Sequence, residues 1–247
     1  MKDGNSEAMT MVFIAFTLTL VLWLTVFSHD DGPPGIRVLV ASSLADVADD
    51  LADEWSSTSG LRVELVTGGS NHLAAQVRDG APVDAFLTAD ADLFLTADTD
   101  LLGEPAIVHE LAVNHLMVAR PAVGPDREPA DLHDPSLVLV ACATGVPCGD
   151  AAAERFGDLP VDSYESSARA VVTRLTLDEA DLGIVYATDV AAHEGLAAAW
   201  PQEPACPCVT YAAASLSPSG DPFVAFLGSD RARQILAAHG FDAEPPR

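Results

Sequence analysis

The chain has 247 residues and a formal net charge of -25, from 37 acidic side chains against 12 Lys and Arg. Lys2 is its one lysine, so the clustered cations that give affinity for phosphate backbones are missing and nucleic-acid binding is disfavoured. Apolar residues make up 49%, enough at this length for one large domain or two small α/β lobes with real cores, which argues against disorder over most of the chain.

In chain order, Met9–Phe27 is an apolar run interrupted only by Thr10, Thr17, Thr19 and Thr25 and followed by Ser28-His29-Asp30-Asp31. Its length fits a bilayer-spanning helix and exceeds a usual signal-peptide core. No small-x-small cleavage site follows it and no cysteine lies near enough to take a lipid. It reads as an uncleaved anchor, with a cleaved signal as the alternative. Lys2 and the amino terminus are the positive charges on the short side, so the body is expected outside the cytoplasm.

Asp30–Gly35 is a Gly/Pro-rich linker. Strand patterns follow at 36–41, 61–66, 85–87, 107–119, 137–141, 182–186 and 209–216, and helical spacing at 44–55, 73–77, 92–97, 149–156, 168–175 and 222–239. This alternation implies an α/β fold with parallel sheets, and the long strand at 107–119 with the late return at 209–216 suggests two lobes joined by two crossings.

Cys142, Cys148, Cys206 and Cys208 make an even count, which in an oxidising compartment suggests disulfides. A metal site is the rival reading. The spacings C-x5-C and C-x-C, with no interleaved histidine, are not the usual zinc spacings.

Four places share one design, in which small hydroxyl or amide groups sit where a strand ends and a helix begins. They are Ser42-Ser43 before Leu44, Gly68-Gly69-Ser70 before Leu73, Val146-Pro147-Cys148-Gly149 before Ala151, and Ser166-Ser167-Ala168 before Arg169. Any one of these serines, taken alone, reads better as an ordinary N-cap. Together they suggest several helix N-termini converging beyond the carboxyl ends of strands, where free N–H groups and about half a positive charge each favour an anion. Such a site needs no cation, which reconciles anion capture with the acidic surface.

The segments IRVLVASSL, TGGSNHLAAQVRDGAPVDAFLTAD, VPCGDAA, SSARAVV and DLGIVYATD resemble the periplasmic molybdate-binding proteins of ABC importers, over nearly the whole chain from Ile36 to Phe241. The resemblance implies a two-lobed type II periplasmic binding protein fold with the ligand cleft between lobes. Residues 36–114 plus 212–247 would form lobe I and 115–211 lobe II, behind a signal or anchor helix and linker at 1–35. It implies an extracytoplasmic solute-binding protein that captures molybdate or tungstate by hydrogen bonds alone, without cofactor or catalysis. Expected partners are an importer permease and its ATPase, the membrane is reached through the N-terminal helix, and the protein is expected to be monomeric. Matched position by position, Ser43 and Ser70 supply hydroxyl and N–H donors, Cys148 and Ala168 backbone N–H donors, and Tyr186 a phenol. Cys148 stands where the family usually has Ala.

Four alternatives remain, one of them a sensor or interaction module at the membrane with the oxyanion site degraded. The same fold could bind sulfate or another small anion. Asp84, Asp90 and Asp189 could hold a cation, although Asp84 and Asp90 flank a strand and read better as turn caps. Ser70 and His72 with an aspartate could form a hydrolase triad, but no G-x-S-x-G elbow is present.

Overall fold

The computed structural model describes residues 35–95, 107–202 and 208–243. The expected membrane segment Met9–Phe27 and Cys206 lie outside the described residues. Among those described, no helix is long and apolar enough to cross a membrane.

Strand β1 (Gly35–Ala41) leads through a 3-10 turn at Ser42–Leu44 into helix α1 (Ala45–Ser59). Val47, Ala48, Leu51, Ala52 and Trp55 form its buried stripe, at the spacing that lines one helix face. Gly60 ends it with φ 73°, the left-handed geometry a C-terminal glycine tolerates without a Cβ penalty. Strand β2 (Arg62–Gly68), helix α2 (Ser70–Arg78), strand β3 (Ala85–Thr88) and a short helix α3 (Asp92–Leu95) follow. Strand β4 (Val108–Pro121) is the longest. Beyond it come β5 (Leu139–Cys142), α4 (Pro147–Phe156), β6 (Ser163–Glu165), α5 (Ala168–Thr176), β7 (Leu182–Tyr186), α6 (Ala187–Ala192) and β8 (Leu196–Ala198). Strand β9 (Cys208–Ser215) and helices α7 (Asp221–Leu227) and α8 (Asp230–Ala238) complete the order.

The strands run β2-β1-β3-β9-β4-β7-β5-β6, with β8 beside β4. Successive residues of β1 face opposite sides, as strand pleating requires. Val38 and Val40 join the large core with α1, whereas Leu39 joins Phe86, Leu73 and Ala74 under α2. Helices therefore cover both faces of this part of the sheet, and the α/β fold stands as expected.

The expectation of parallel sheets holds for only part of the molecule. β1 is parallel to β2 and β3, and β5 to β6 and β7. The long strand β4 and the returning β9 are antiparallel to each other and to their outer neighbours. The physical reason is connectivity: the chain leaves the first group of strands along β4 and re-enters along β9, so the two must point in opposite directions. β4 pairs with β9 through His115 and with β7 from Leu116. The described residues nevertheless cluster as one compact unit.

Candidate functional site

Parallel pairing puts the strand ends where the chemistry is expected. In register, Ala41 lies opposite Gly68 and Val40 opposite Leu87, so β1, β2 and β3 finish at one edge. β5 and β6 finish together at Cys142 and Glu165. The turns leaving these strands meet around one small cavity of about 10 Å3, lined by Ser42, Ser43, Ser70, Cys148, Ala168 and Tyr186 among others. All five residues singled out as oxyanion contacts in the sequence reach this one space.

Three helices aim their first turns at it. Ser70 opens α2, Cys148 is the second residue of α4 and Ala168 opens α5. First-turn N–H groups have no acceptor within their own helix. The bland reading, that the serines are caps, fits one site only: Ser167 accepts the Ala170 N–H at 3.2 Å. The ends at Ser42–Leu44, Gly69 and Val146 carry no side-chain cap. Close approach across the cavity depends on glycine, because a Cβ on Gly69 would stand 2.7 Å from the Ser166 carbonyl oxygen.

The hydroxyls are wired to the framework. Ser70 Oγ accepts the Ala89 N–H at 3.1 Å, and Ser43 Oγ lies 3.0 Å from the Tyr211 hydroxyl. Tyr186 is 1% exposed and its hydroxyl has no hydrogen-bond partner. Burial, then the neighbouring Tyr211 and Asp189, hold its pKa well above the ordinary tyrosine value, so it remains a donor. Asp189 accepts the Tyr186 N–H at 3.0 Å, and burial raises its carboxyl to about 6.

A disulfide joins Cys142 at the end of β5 to Cys148 in the first turn of α4. Gly149 follows in that tight turn, where a Cβ would meet the Ala143 carbonyl oxygen at 2.1 Å. On the rim, Arg169 reaches from α5 to Asp46 on α1 at 2.9 Å and also touches His193. This ion pair ties α5, which opens with Ala168, to the helix that follows the Ser42–Leu44 turn.

The rival chemistries find less support in the geometry. His72 is exposed, and Ser70 Oγ is engaged by Ala89 instead. Asp84 accepts the Arg37 N–H and the Ser217 hydroxyl, as a turn-capping carboxylate would. Among the described residues no group of three His, Cys, Asp or Glu side chains is placed to hold a metal ion.

Residues 36–242 match the family model described as bacterial extracellular solute-binding protein. The chain belongs to that family. The solute-binding protein is 32% identical over 228 residues to the molybdate-binding protein ModA of Mycobacterium tuberculosis, covering 85% of each chain. Its fold matches the periplasmic molybdate-binding protein of Azotobacter vinelandii with a TM-score of 0.66 at 18% identity, over 86% of this chain and all of that one. It matches the sulfate-binding protein SubI of M. tuberculosis with a TM-score of 0.70 at 14% identity, over 86% and 88%. These two structures establish the periplasmic binding protein fold and no ligand.

Some of the solute-binding protein's site was not legible residue by residue. Tyr211 and Ala89 hold the serine hydroxyls yet lie 168 and 19 positions from the partners they bond, Ser43 and Ser70. The available signal was the aromatic in an otherwise small-residue strand, Thr210-Tyr211-Ala212-Ala213-Ala214.

Proposed function

We propose that the protein captures molybdate, or the similar tungstate, outside the cytoplasm and delivers it to an ABC importer permease and its ATPase. One observation carries this reading. A cavity closed by three helix N-termini and two serines also contains a buried phenol with no hydrogen-bond partner, which leaves its O–H free to donate beside the helix N–H groups. A fully deprotonated tetrahedral dianion only accepts hydrogen bonds, and Ser43, Ser70, Cys148, Ala168 and Tyr186 are its proposed contacts. Protonated phosphate would bring an O–H with no acceptor, which costs about 1–3 kcal/mol or more. Sulfate must be rejected on size, by a cavity in which it makes long contacts.

The relative named for molybdate binding supports the ligand. The change of β4 pairing between His115 and Leu116 supports two lobes, 36–114 plus 212–247 and 115–211, within the single compact unit. The family description supports an extracellular site of action, and the apolar run Met9–Phe27 supports a tether or export signal. The protein acts as a monomer and performs no catalysis.

Titration calorimetry with molybdate, tungstate, sulfate and phosphate tests the proposal. Submicromolar binding of the first two alone is expected. Heat with sulfate, a carboxylate or a metal ion, and none with molybdate, overturns it.

A further inference from the structure

Of the three helices that aim at the cavity, α4 has the least to offer a ligand. Pro147 opens it and has no N–H. The Gly149 and Asp150 N–H groups both already donate to the Val146 carbonyl, at 2.8 and 3.0 Å. In the first turn of α4 the Cys148 N–H is therefore the donor left for an anion, and Cys148 lines the cavity. A contact that rests on one N–H depends on where that group is held.

The other two helices are fixed by their own serines. Ser70 in the first turn of α2 accepts the Ala89 N–H just past the end of β3, and Ser167 caps α5. Helix α4 has no such cap. The chain reaches it from β5 through a tight turn, where Gly145 has φ 82° and the Val146 N–H donates to the Ala143 carbonyl at 3.1 Å. Asp150 Oδ1 accepts the Gly145 N–H at 2.7 Å. These bonds hold the turn to the helix that it starts. The sheet is reached through the Ala143 N–H, which donates to the Glu165 carbonyl at 2.8 Å, and through the disulfide. Cys142 is the last residue of β5, and both cysteines are buried. The bond thus fastens the donor residue itself to the end of a core strand.

We propose that Cys142 is a positioning residue for oxyanion capture, which through its disulfide holds the Cys148 N–H at the cavity before any ligand arrives. The inference rests on the oxyanion reading of the site and adds a cause of its affinity. Cys142 is not among the residues that line the cavity. It acts by sparing the ligand the work of ordering the turn, an ordering that would otherwise be drawn from the binding free energy.

The test is Cys142→Ala together with Cys148→Ala, which opens the bond and keeps the backbone N–H at position 148. Variants are preferred to a reductant because Cys208 is disulfide-bonded as well. Calorimetry with molybdate, well below the melting temperature, should show binding about 3- to 10-fold weaker than wild type, the scale of ordering one short segment on binding. Cys142→Ala alone leaves the cavity lining unchanged and should show the same loss, because the same bond is broken. A purely structural bond would lower the melting temperature and leave the affinity of the folded protein as it was. Affinity within about two-fold of wild type in both variants, or a loss seen only when Cys148 is replaced, overturns the inference. Should the alanine variants fail to fold, Cys142→Val with Cys148→Ala refills the space of the sulfurs, and wild-type affinity there overturns it equally. A wild-type protein that binds no molybdate is a different result and sinks the functional proposal itself.

Discussion

Replacing Tyr186 by Phe should stabilise the empty protein and weaken its hold on the oxyanion, two effects of opposite sign from one atom. Tyr186 is buried and its hydroxyl has no hydrogen-bond partner, and a buried unsatisfied polar group costs about 1–3 kcal/mol. Phe keeps the ring and its edge contact with Tyr211, so the unliganded protein should gain about 1 kcal/mol, or about 2–4 °C in melting temperature for a domain of this size. With ligand present, the same hydroxyl would supply a hydrogen bond to a charged acceptor, worth about 1.5–3 kcal/mol. Its loss should weaken molybdate binding about 10- to 150-fold. Melting curves with and without molybdate, together with calorimetry, read both quantities. A Tyr186→Phe protein that melts several degrees lower when empty, or binds molybdate as tightly as wild type, would refute the assignment of this hydroxyl as a ligand donor.

Three other outcomes follow from the same geometry. Ser70→Ala should weaken molybdate binding by about 1.5–3 kcal/mol and also lower stability by about 1–3 kcal/mol, because it strands the buried Ala89 N–H; calorimetry and melting separate the two. Asp189→Asn should flatten the stability profile between about pH 4 and pH 6. The Asp189 carboxyl is raised from 3.8 to about 6 by burial, so its contribution is fully present below about pH 4 and is lost as pH rises through about 6, a difference of about 3 kcal/mol that urea unfolding across that range would measure. Cys142→Ser with Cys148→Ser opens a link six residues apart and should cost about 2 kcal/mol, visible as a drop of about 4–8 °C in melting temperature.

What the sequence revealed and what it hid divide along chain distance. The turns at Ser43, Ser70, Cys148 and Ala168 were legible because strand, small residues and helix follow one another within a few positions. Two helix starts lie two or three residues earlier than the spacing suggests, α2 at Ser70 and α4 at Pro147, because neither needs a side-chain cap when its first-turn N–H groups face a cavity, whereas α5 begins at Ala168 as expected. The three-residue strands β6 and β8 escaped notice because their pattern is too short to carry a period. The antiparallel placement of β9 was hidden for a different reason. Its residues read as buried strand in either direction, and only the pairing with β3 and β4 settles which way it runs. Tyr211 and the ion pair of Asp46 with Arg169 share that limit, since each links positions more than a hundred residues apart.

The charge of -25 makes one last demand on the proposal. A pocket of about 460 Å3 shares Ala89 and Pro147 with the oxyanion cavity and is lined by Asp90, Asp92, Glu110, Asp150 and Glu154. Burial, then Asp92, raises the Asp90 carboxyl above its ordinary value, and Asp150 adds to the effect, as expected where carboxylates crowd. A dianion approaching the neighbouring cavity is repelled by this field. The barrier is long-ranged and screenable, whereas the short contacts inside the cavity are not. Raising ionic strength from about 0.01 to 0.1 M shortens the Debye length from about 30 to 10 Å, so the association rate of molybdate should rise with added potassium chloride while dissociation changes little. A protein that steers anions with surface cations behaves in the opposite way. Stopped-flow rates across a salt series distinguish the two, and an association rate that falls as salt is added would mean that oriented dipoles alone do not account for capture.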